Sequence, residues 1–316
     1  MDAHRAPAMT AVGFVIIGRN EGARLDLAIA SVTRTGHEAV YVDSGSSDGS
    51  VALARARGLA VVELDPARPF TAARARNAGL QWHRRRDPRL ELLHFIDGDC
   101  ELVPGWLDKA CAALLADERL AAVCGRRRER APDASRYNRL CEDEWNTPVG
   151  LADTVGGDAL FRVAALAQVQ GFDEMLIAGE EPELCHRIRR RGWLIRRIEG
   201  DMTIHDAAMT RFAQWWQRNR RNGYATAEAL AMRGTEDHHA RRRLRREVAS
   251  NVLWSLPPSW PFWPLLWLRV RLRRDALQAT WMTLGKLPHL QGQLDYWQRR
   301  ERRGGTGRRI QLIEYK

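Results

Sequence analysis

The chain lacks several features that would fix its class at once. Its five cysteines, Cys100, Cys111, Cys124, Cys141 and Cys185, include no Cys-x-x-Cys pair and no metal-finger spacing. An odd, scattered set argues against a disulfide framework and for single buried thiols in a reducing compartment. A clean spanning helix needs about 20 apolar residues, and the first apolar run, Val12 to Ile17, is far too short. Met1 to Thr10 is short and mixed; it reads as a disordered start without a signal peptide. There are no internal repeats. The turn after the first apolar run, Gly18-Arg19-Asn20-Glu21-Gly22, is too acidic and short to be a glycine-rich basic phosphate loop.

What the chain has in excess is positive charge, and all of it at one end. The net charge is +11 over 316 residues. Residues 239–316 hold 17 Lys and Arg against 5 Asp and Glu, whereas the first 238 hold 33 against 34. The body is therefore neutral and the tail basic, which suits an anionic membrane surface, nucleic acid, or solubility alone. Apolar content of 45% is ordinary for a globular protein. Val252 to Val270 is rich in tryptophan but broken by Pro257, Pro258, Pro261 and Pro264. Beside Arg269, Arg271, Arg273 and Arg274 it reads as an interfacial segment, with a soluble helical appendage as the other reading.

The body alternates short apolar runs with helical periodicity. Strands are expected at 12–17, 39–42, 59–64 and 90–96, with helices between them and a further helix after Pro104. This alternation implies right-handed crossovers and a mainly parallel sheet, with ligands bound outside the carboxyl ends of the strands. Beyond residue 120 the pattern loosens. Strands are expected at 121–125, 159–161 and 193–198, a helix opens at Gly179-Glu180-Glu181-Pro182, and a long helix runs from Ala208 to Met232. The charge run Arg126 to Arg130 reads as a solvated face. Domain boundaries follow as 1–10, 11–235, and a basic, tryptophan-rich region at 236–316.

Two aspartates stand where such a sheet binds ligands. Asp97 and Asp99 follow the apolar run ending at Ile96, with Gly98 between them. At that spacing both side chains of an extended segment face one way. Paired carboxylates suit a hard divalent cation carrying phosphates. Asp43 ends the second strand, and so falls on the same rim.

With these residues in view, the sequence resembles the family 2 glycosyltransferases over roughly residues 12–224. The resemblance rests on Ile17-Gly18-Arg19-Asn20-Glu21, the Asp43 to Ser50 loop, Ala75-Arg76-Asn77-Ala78-Gly79, Asp97-Gly98-Asp99, Gly156-Gly157-Asp158, and Gly179 through Gly192, in the family's order. It implies a GT-A fold: a Rossmann-like, mainly parallel sheet flanked by helices, here with a helical basic C-terminal appendage. It also implies a donor nucleotide site from Asn20, Glu21, Asp43, Arg76, Asn77 and Asp97. A Mg2+ or Mn2+ site would come from Asp99, Asp97 and His205. Glu181, paired with Glu180, would be the catalytic base, and Gly157, Asp158, Trp215 and Trp216 would lie on the acceptor side. Several of these positions have plainer readings: a turn for Asp43, a helix start for Asn20 and Glu21, a helix cap for Glu180 and Glu181, a structural histidine, and core tryptophans.

The implied activity is an inverting, metal-dependent transfer of a sugar from a nucleotide-sugar donor to a saccharide or lipid-linked acceptor, in cell-surface polysaccharide or glycolipid synthesis. The expected location is cytoplasmic, peripheral at the inner face of the cell membrane, without a nucleic-acid partner. A nucleotidyltransferase with a similar aspartate pair, or a nucleic-acid-binding protein driven by the tail, are the alternatives.

Overall fold

Strands buried on both faces read as continuous apolar runs, and the first such run in the chain forms the middle of a sheet. The computed structural model describes residues 11–232 and 238–302. The expectations for residues 1–10, for the boundary at 235 and for the last residues, 303–316, fall outside them. The strands are β1 (Val12–Gly18), β2 (Glu38–Asp43), β3 (Ala60–Glu63), β4 (Leu92–Asp97), β5 (Cys100–Leu102), β6 (Leu120–Glu129), β7 (Gly150–Leu151), β8 (Ala159–Arg162) and β9 (Leu194–His205). The helices are α1 (Ala23–Thr33), α2 (Ser50–Ala56), α3 (Ala72–Arg86), α4 (Trp106–Ala116), α5 (Arg136–Trp145), α6 (Val163–Gln168), α7 (Glu180–Arg190), α8 (Phe212–Met232), α9 (His238–Ser255), α10 (Trp263–Arg271), α11 (Ala276–Leu284) and α12 (Lys286–Arg302).

The chain divides into two compact units. Among the described residues, the first takes 11–130, Trp145–Met175 and Glu180–Asp206; the second takes Ala131–Glu144, Leu176–Gly179, 207–232 and 238–302.

The first unit holds the sheet, in the order β3-β2-β1-β4-β8-β6-β9-β5, with β7 paired to β9. The strands β3, β2, β1 and β4 run parallel. Then β8 runs antiparallel to both neighbours, while β6 and β9 are parallel to each other. The reversal at β8 makes the sheet mixed, parallel in its first half. Phe14, Val15 and Ile16 of β1 and Leu92, Leu93, Phe95 and Ile96 of β4 are fully buried, as a central strand pair covered by helices requires. Register sets Gly18 beside Asp43 and Ile17 beside Asp97, so both aspartates end their strands on one rim.

The element boundaries have local causes. Thr71 caps α3, its hydroxyl accepting the Arg74 N–H at 3.1 Å, so the helix starts two residues after Phe70. Strand β9 runs to His205, well past Ile198, because its far half pairs with β5 and β6. The run Arg126 to Glu129 is not a solvated face but the second half of β6, and none of these four side chains is fully exposed.

The second unit is helical and takes in more chain than the tail that charge alone marks out, since α8 belongs to it. The helices α8 and α12 cross with backbones in contact. A Cβ added to Gly292 would lie 1.9 Å from the Arg220 carbonyl oxygen, and one added to Gly223 would lie 2.1 Å from that of His289. Trp215 is buried among Phe212 and Trp281, and Trp281 also meets Tyr137 edge-on. No helix among the described residues is long and apolar enough to cross a membrane.

The close crossing predicts a specific sensitivity. Gly292→Ala should destabilise the chain by about 2 kcal/mol, because overpacking against backbone has no side chain to yield. Urea unfolding of the variant and the parent checks this, and an unchanged midpoint would contradict the contact.

Candidate active site

The site is built on a buried guanidinium. Arg76 lies on the inward face of α3 and is 2% exposed. An arginine can be buried only if carboxylates or carbonyls take its protons. One Nη donates to Glu180 at 2.8 Å; the other donates to Asp97 at 2.8 Å and to the Gly157 carbonyl at 3.3 Å. Glu181 stands 3.6 Å away, and Phe172 lies under the guanidinium plane. Burial opposes its charge, but the carboxylates of Asp97, Glu181 and Glu180 outweigh that, and its pKa is raised.

Asp97 ends β4, and its second carboxylate oxygen is 3.5 Å from Arg127. Its backbone N–H donates to Asp158 at 3.0 Å. Asp158 is completely buried and also accepts from the Thr203 hydroxyl at 2.7 Å and Arg127 at 2.9 Å. Burial alone would raise the Asp158 pKa, but Arg127 and these hydrogen bonds bring it below the ordinary carboxylate value. Asp158 therefore braces the end of β4 from beneath. Gly157 is glycine because the space is taken: a Cβ there would lie 2.6 Å from Asp97 and 2.7 Å from Arg127.

Asp99 sits in the turn to β5, with one oxygen 3.5 Å from Nε2 of His205. Pairing of Cys100 with His205 across β5 and β9 fixes that meeting. His205 turns its Nδ1 to within 3.8 Å of the fully buried Glu129 carboxylate, and its ring meets Trp145 edge-on at 4.7 Å. That Nδ1 is buried without a hydrogen-bond partner. Burial raises the Asp99 pKa and Asp97 adds to it, with His205 opposing.

One oxygen of Asp99, the Cys100 sulfur and one His205 nitrogen lie within 4.8 Å of one another. Burial pushes the Cys100 thiol well above its ordinary pKa, and Asp158 adds to this. A protonated thiol is no ligand for a hard cation, so the usable donors are Asp99 and His205, with Asp97 beside them. A carboxylate held above its ordinary pKa by burial and a like charge gains most from a cation. The residues present therefore fit a divalent ion such as Mg2+ or Mn2+.

Glu180 and Glu181 open α7. Glu180 is buried and committed to Arg76. Glu181 is partly open, and burial, then the neighbouring Glu180, pushes its pKa up to about 7. That value overrides the usual lowering of an acid at a helix start.

The other expected residues make the following contacts. Asp43 is buried and accepts from the Tyr41 hydroxyl, the Gly45 and Ser46 N–H groups and the Ser46 hydroxyl. Its four lone-pair positions are thus filled by its own loop. Asn20, at φ +54°, accepts from the Ser47 N–H and donates its own N–H to Ser46, tying the β1 turn to that loop. Glu21 pairs with Arg24 at 2.9 Å. Asn77 is consumed by the 171–174 segment, bonding both the N–H and the carbonyl of Phe172. Trp215 and Trp216 belong to the helical unit, where Trp215 is core and the Trp216 indole donates to Gln291 at 2.8 Å.

Three residues at the site escaped the sequence reading: Arg127, Glu129 and Trp145. The signal for the first two was present. The apolar run Leu120–Gly125 continues as a strand into the charges, and period two puts Arg127 and Glu129 on one face. Register then sets them beside Thr203 and His205 of β9.

The donor set makes a direct prediction. Asp99→Asn and His205→Ala should each weaken Mn2+ binding, measured by isothermal titration or by the loss of free-ion paramagnetic signal, by about tenfold or more. Cys100→Ser should leave it unchanged. A loss caused by the serine variant would mean that a softer, thiolate-bound ion is the true occupant.

Residues 14–167 match the model of the family described as Glycosyl transferase family 2. No curated protein sequence matches the chain. Among solved structures, it is similar to a mannosyltransferase from Pyrobaculum calidifontis in complex with GDP-Man and Mn2+. The TM-score is 0.57 at 17% identity, covering 91% of this chain and 87% of that one. It is also similar to glucosyl-3-phosphoglycerate synthase from Mycobacterium tuberculosis in complex with Mn2+, uridine-diphosphate and glucosyl-3-phosphoglycerate. There the TM-score is 0.52 at 19% identity, covering 71% and 80%. At such identities the likeness is one of fold. The match to glycosyl transferase family 2 spans residues 14–167, the segment that holds the aspartate pair at the end of β4.

Proposed function

We propose that the chain transfers a sugar, with inversion, from a nucleotide-diphosphate donor to an acceptor hydroxyl, using a divalent cation. The observation that carries this reading is the pairing of Asp97 and Glu181 around one guanidinium. It puts an acid with a pKa of about 7 beside the carboxylates that suit a cation. A general base works best with a pKa near the working pH. Glu181 is that base, taking the proton of the attacking hydroxyl, while Glu180 stays bound to Arg76 and holds the pair in place.

Asp99 and His205 would hold the ion, with Asp97 beside them. A bound Mg2+ or Mn2+ supplies Lewis-acid neutralisation of the departing nucleoside diphosphate. Arg76 and Arg127 orient Asp97 and set the positive side of the cleft. The loop that Asp43 and Asn20 hold in shape faces the nucleotide through its backbone. Gly157 leaves room on the acceptor side. Two of the solved relatives in fold were crystallised with a nucleotide and Mn2+, which supports the donor class. We assign the acceptor to saccharides, free or lipid-linked, of cell-surface polysaccharide or glycolipid synthesis, on the strength of the basic, tryptophan-rich tail. Five free thiols suit a cytoplasmic setting.

The test is hydrolysis and transfer across a panel of nucleotide-sugars with Mn2+, Mg2+ or EDTA. Turnover of at least one donor that EDTA abolishes is expected; no binding or turnover of any donor in any metal would end the enzyme reading. Glu181→Gln should keep donor affinity and lower kcat roughly a hundredfold to ten-thousandfold. Because the base works ionised and its pKa is raised, kcat should climb as pH rises through about 7 and then level off. A flat profile from pH 5 to 8 would remove Glu181 from the role.

A further inference from the structure

The helical unit carries a surface that glycosyl transfer does not explain. Of the 17 large apolar side chains left exposed among the described residues, 8 fall between Val252 and Leu272. Leu253 and Leu256 come from the end of α9, Trp260 and Phe262 from the short 3-10 turn after it, and Leu265 and Leu268 from α10. Leu265, Leu268 and Leu272 are spaced as one helical stripe, and they are 63%, 49% and 79% exposed. Isolated exposed apolar residues are ordinary; a concentration of this kind marks an interaction surface.

Three tryptophans of this segment, Trp260, Trp263 and Trp267, have their indole N–H groups already bonded within the chain. The indole N–H of Trp260 donates to the Ser255 carbonyl, that of Trp263 to the Trp254 carbonyl, and that of Trp267 to the Thr280 hydroxyl. Covering these rings with apolar matter therefore strands no donor. The prolines, which rule out a spanning helix, instead fold the segment into a turn between two helices. Pro257 opens the 3-10 turn and Pro264 lies in the first turn of α10.

Charge selects the partner. From Val248 to Leu294 the only acidic residue is Asp275, and its carboxylate is engaged in capping α11 at Gln278. Arg269, Arg271, Arg273 and Arg274 follow the stripe directly and are all exposed. Among the described residues none of the four forms an ion pair; Arg271 donates to the Arg274 carbonyl. Apolar side chains beside unneutralised arginines, on a segment too short to span, match the boundary between acyl chains and anionic headgroups.

We propose that the Leu253–Arg274 segment docks the protein on an anionic phospholipid surface. Leu256, Trp260, Phe262, Leu265 and Leu268 enter the acyl boundary, and Arg269, Arg271, Arg273 and Arg274 contact headgroup phosphates. The protein lies on the bilayer and does not cross it. The docking is independent of the sugar-transfer site, so either reading can fail alone.

The full chain, purified, is sedimented with vesicles of phosphatidylcholine alone and with vesicles of phosphatidylcholine mixed with phosphatidylglycerol. Binding to the anionic vesicles that weakens with added salt is expected. The pair Leu265→Asp and Leu268→Asp should abolish it, with the melting temperature and any soluble-acceptor activity unchanged. Replacing the four arginines by glutamine should weaken binding roughly tenfold or more and flatten the salt dependence. Leu27→Asp, an equally simple change of an exposed leucine elsewhere, should have no effect. The proposal is overturned if the parent ignores both vesicle types, or if the double aspartate variant binds as well as the parent. It is also overturned if light scattering shows that the patch buries itself in a dimer, or if salt-sensitive binding to duplex DNA occurs in place of lipid.

Discussion

The sheet unit depends on one buried charge, the guanidinium of Arg76. It reaches three segments far apart in sequence: the end of β4 through Asp97, the 156–158 turn through the Gly157 carbonyl, and the start of α7 through Glu180. Each of those segments holds a residue of the proposed transfer site. Without the guanidinium, Asp97, Glu180 and Glu181 would be three acids in one half-buried space. Breaking a buried ionic network from one side costs about 3–5 kcal/mol, because the remaining charges stay uncompensated. Arg76 therefore ties together the segments of the proposed site. It lets carboxylates accumulate at a strand end, and it sets how far apart they stand.

The same network divides the acids by role. Glu180 is closer to Arg76 than Glu181 is, at 2.8 Å against 3.6 Å. The nearer acid is taken up in a direct ion pair with Arg76; the farther one, Glu181, has its pKa raised by burial and by the neighbouring Glu180. Asp97 meets two guanidinium groups, those of Arg76 and Arg127, whereas Asp99 faces the imidazole of His205.

Much of this was legible in the sequence, and the limits have physical causes. The parallel half of the sheet could be read because its strands are apolar on both faces and are separated by helices with clear turns. Asp43, Asp97 and Asp99 could be placed on one rim because strand ends and register follow from that pattern. The second half was harder. In β6 the apolar period stops at Gly125 while the strand goes on to Glu129, since its later residues bury charge against charge. Arg127 sits between Asp97 and Asp158, and Glu129 beside His205. A buried ion pair looks like a solvated charge run when only one strand of it is in view. Asp43 and Asn77 show the opposite limit. Both were identified as site residues, yet their side chains are saturated by backbone groups of their own surroundings. Composition marks such residues as polar and placed; only coordinates show that their hydrogen bonds are already made.

The tail illustrates why charge alone undersells a surface. Its net positive charge could serve lipid, nucleic acid or solubility equally well. What separates these is where the apolar side chains point. A nucleic-acid surface interleaves its basic residues with phosphate-spaced polar groups and a few stacking rings. Here the arginines follow an aliphatic stripe, Leu265, Leu268 and Leu272, whose side chains offer no hydrogen bond to a base or phosphate. Solubility alone would not leave leucines open beside them. The prolines settle the depth: they end α9 and start α10 within about three helical turns of chain, so the segment can present an edge to a bilayer but has no length with which to cross it.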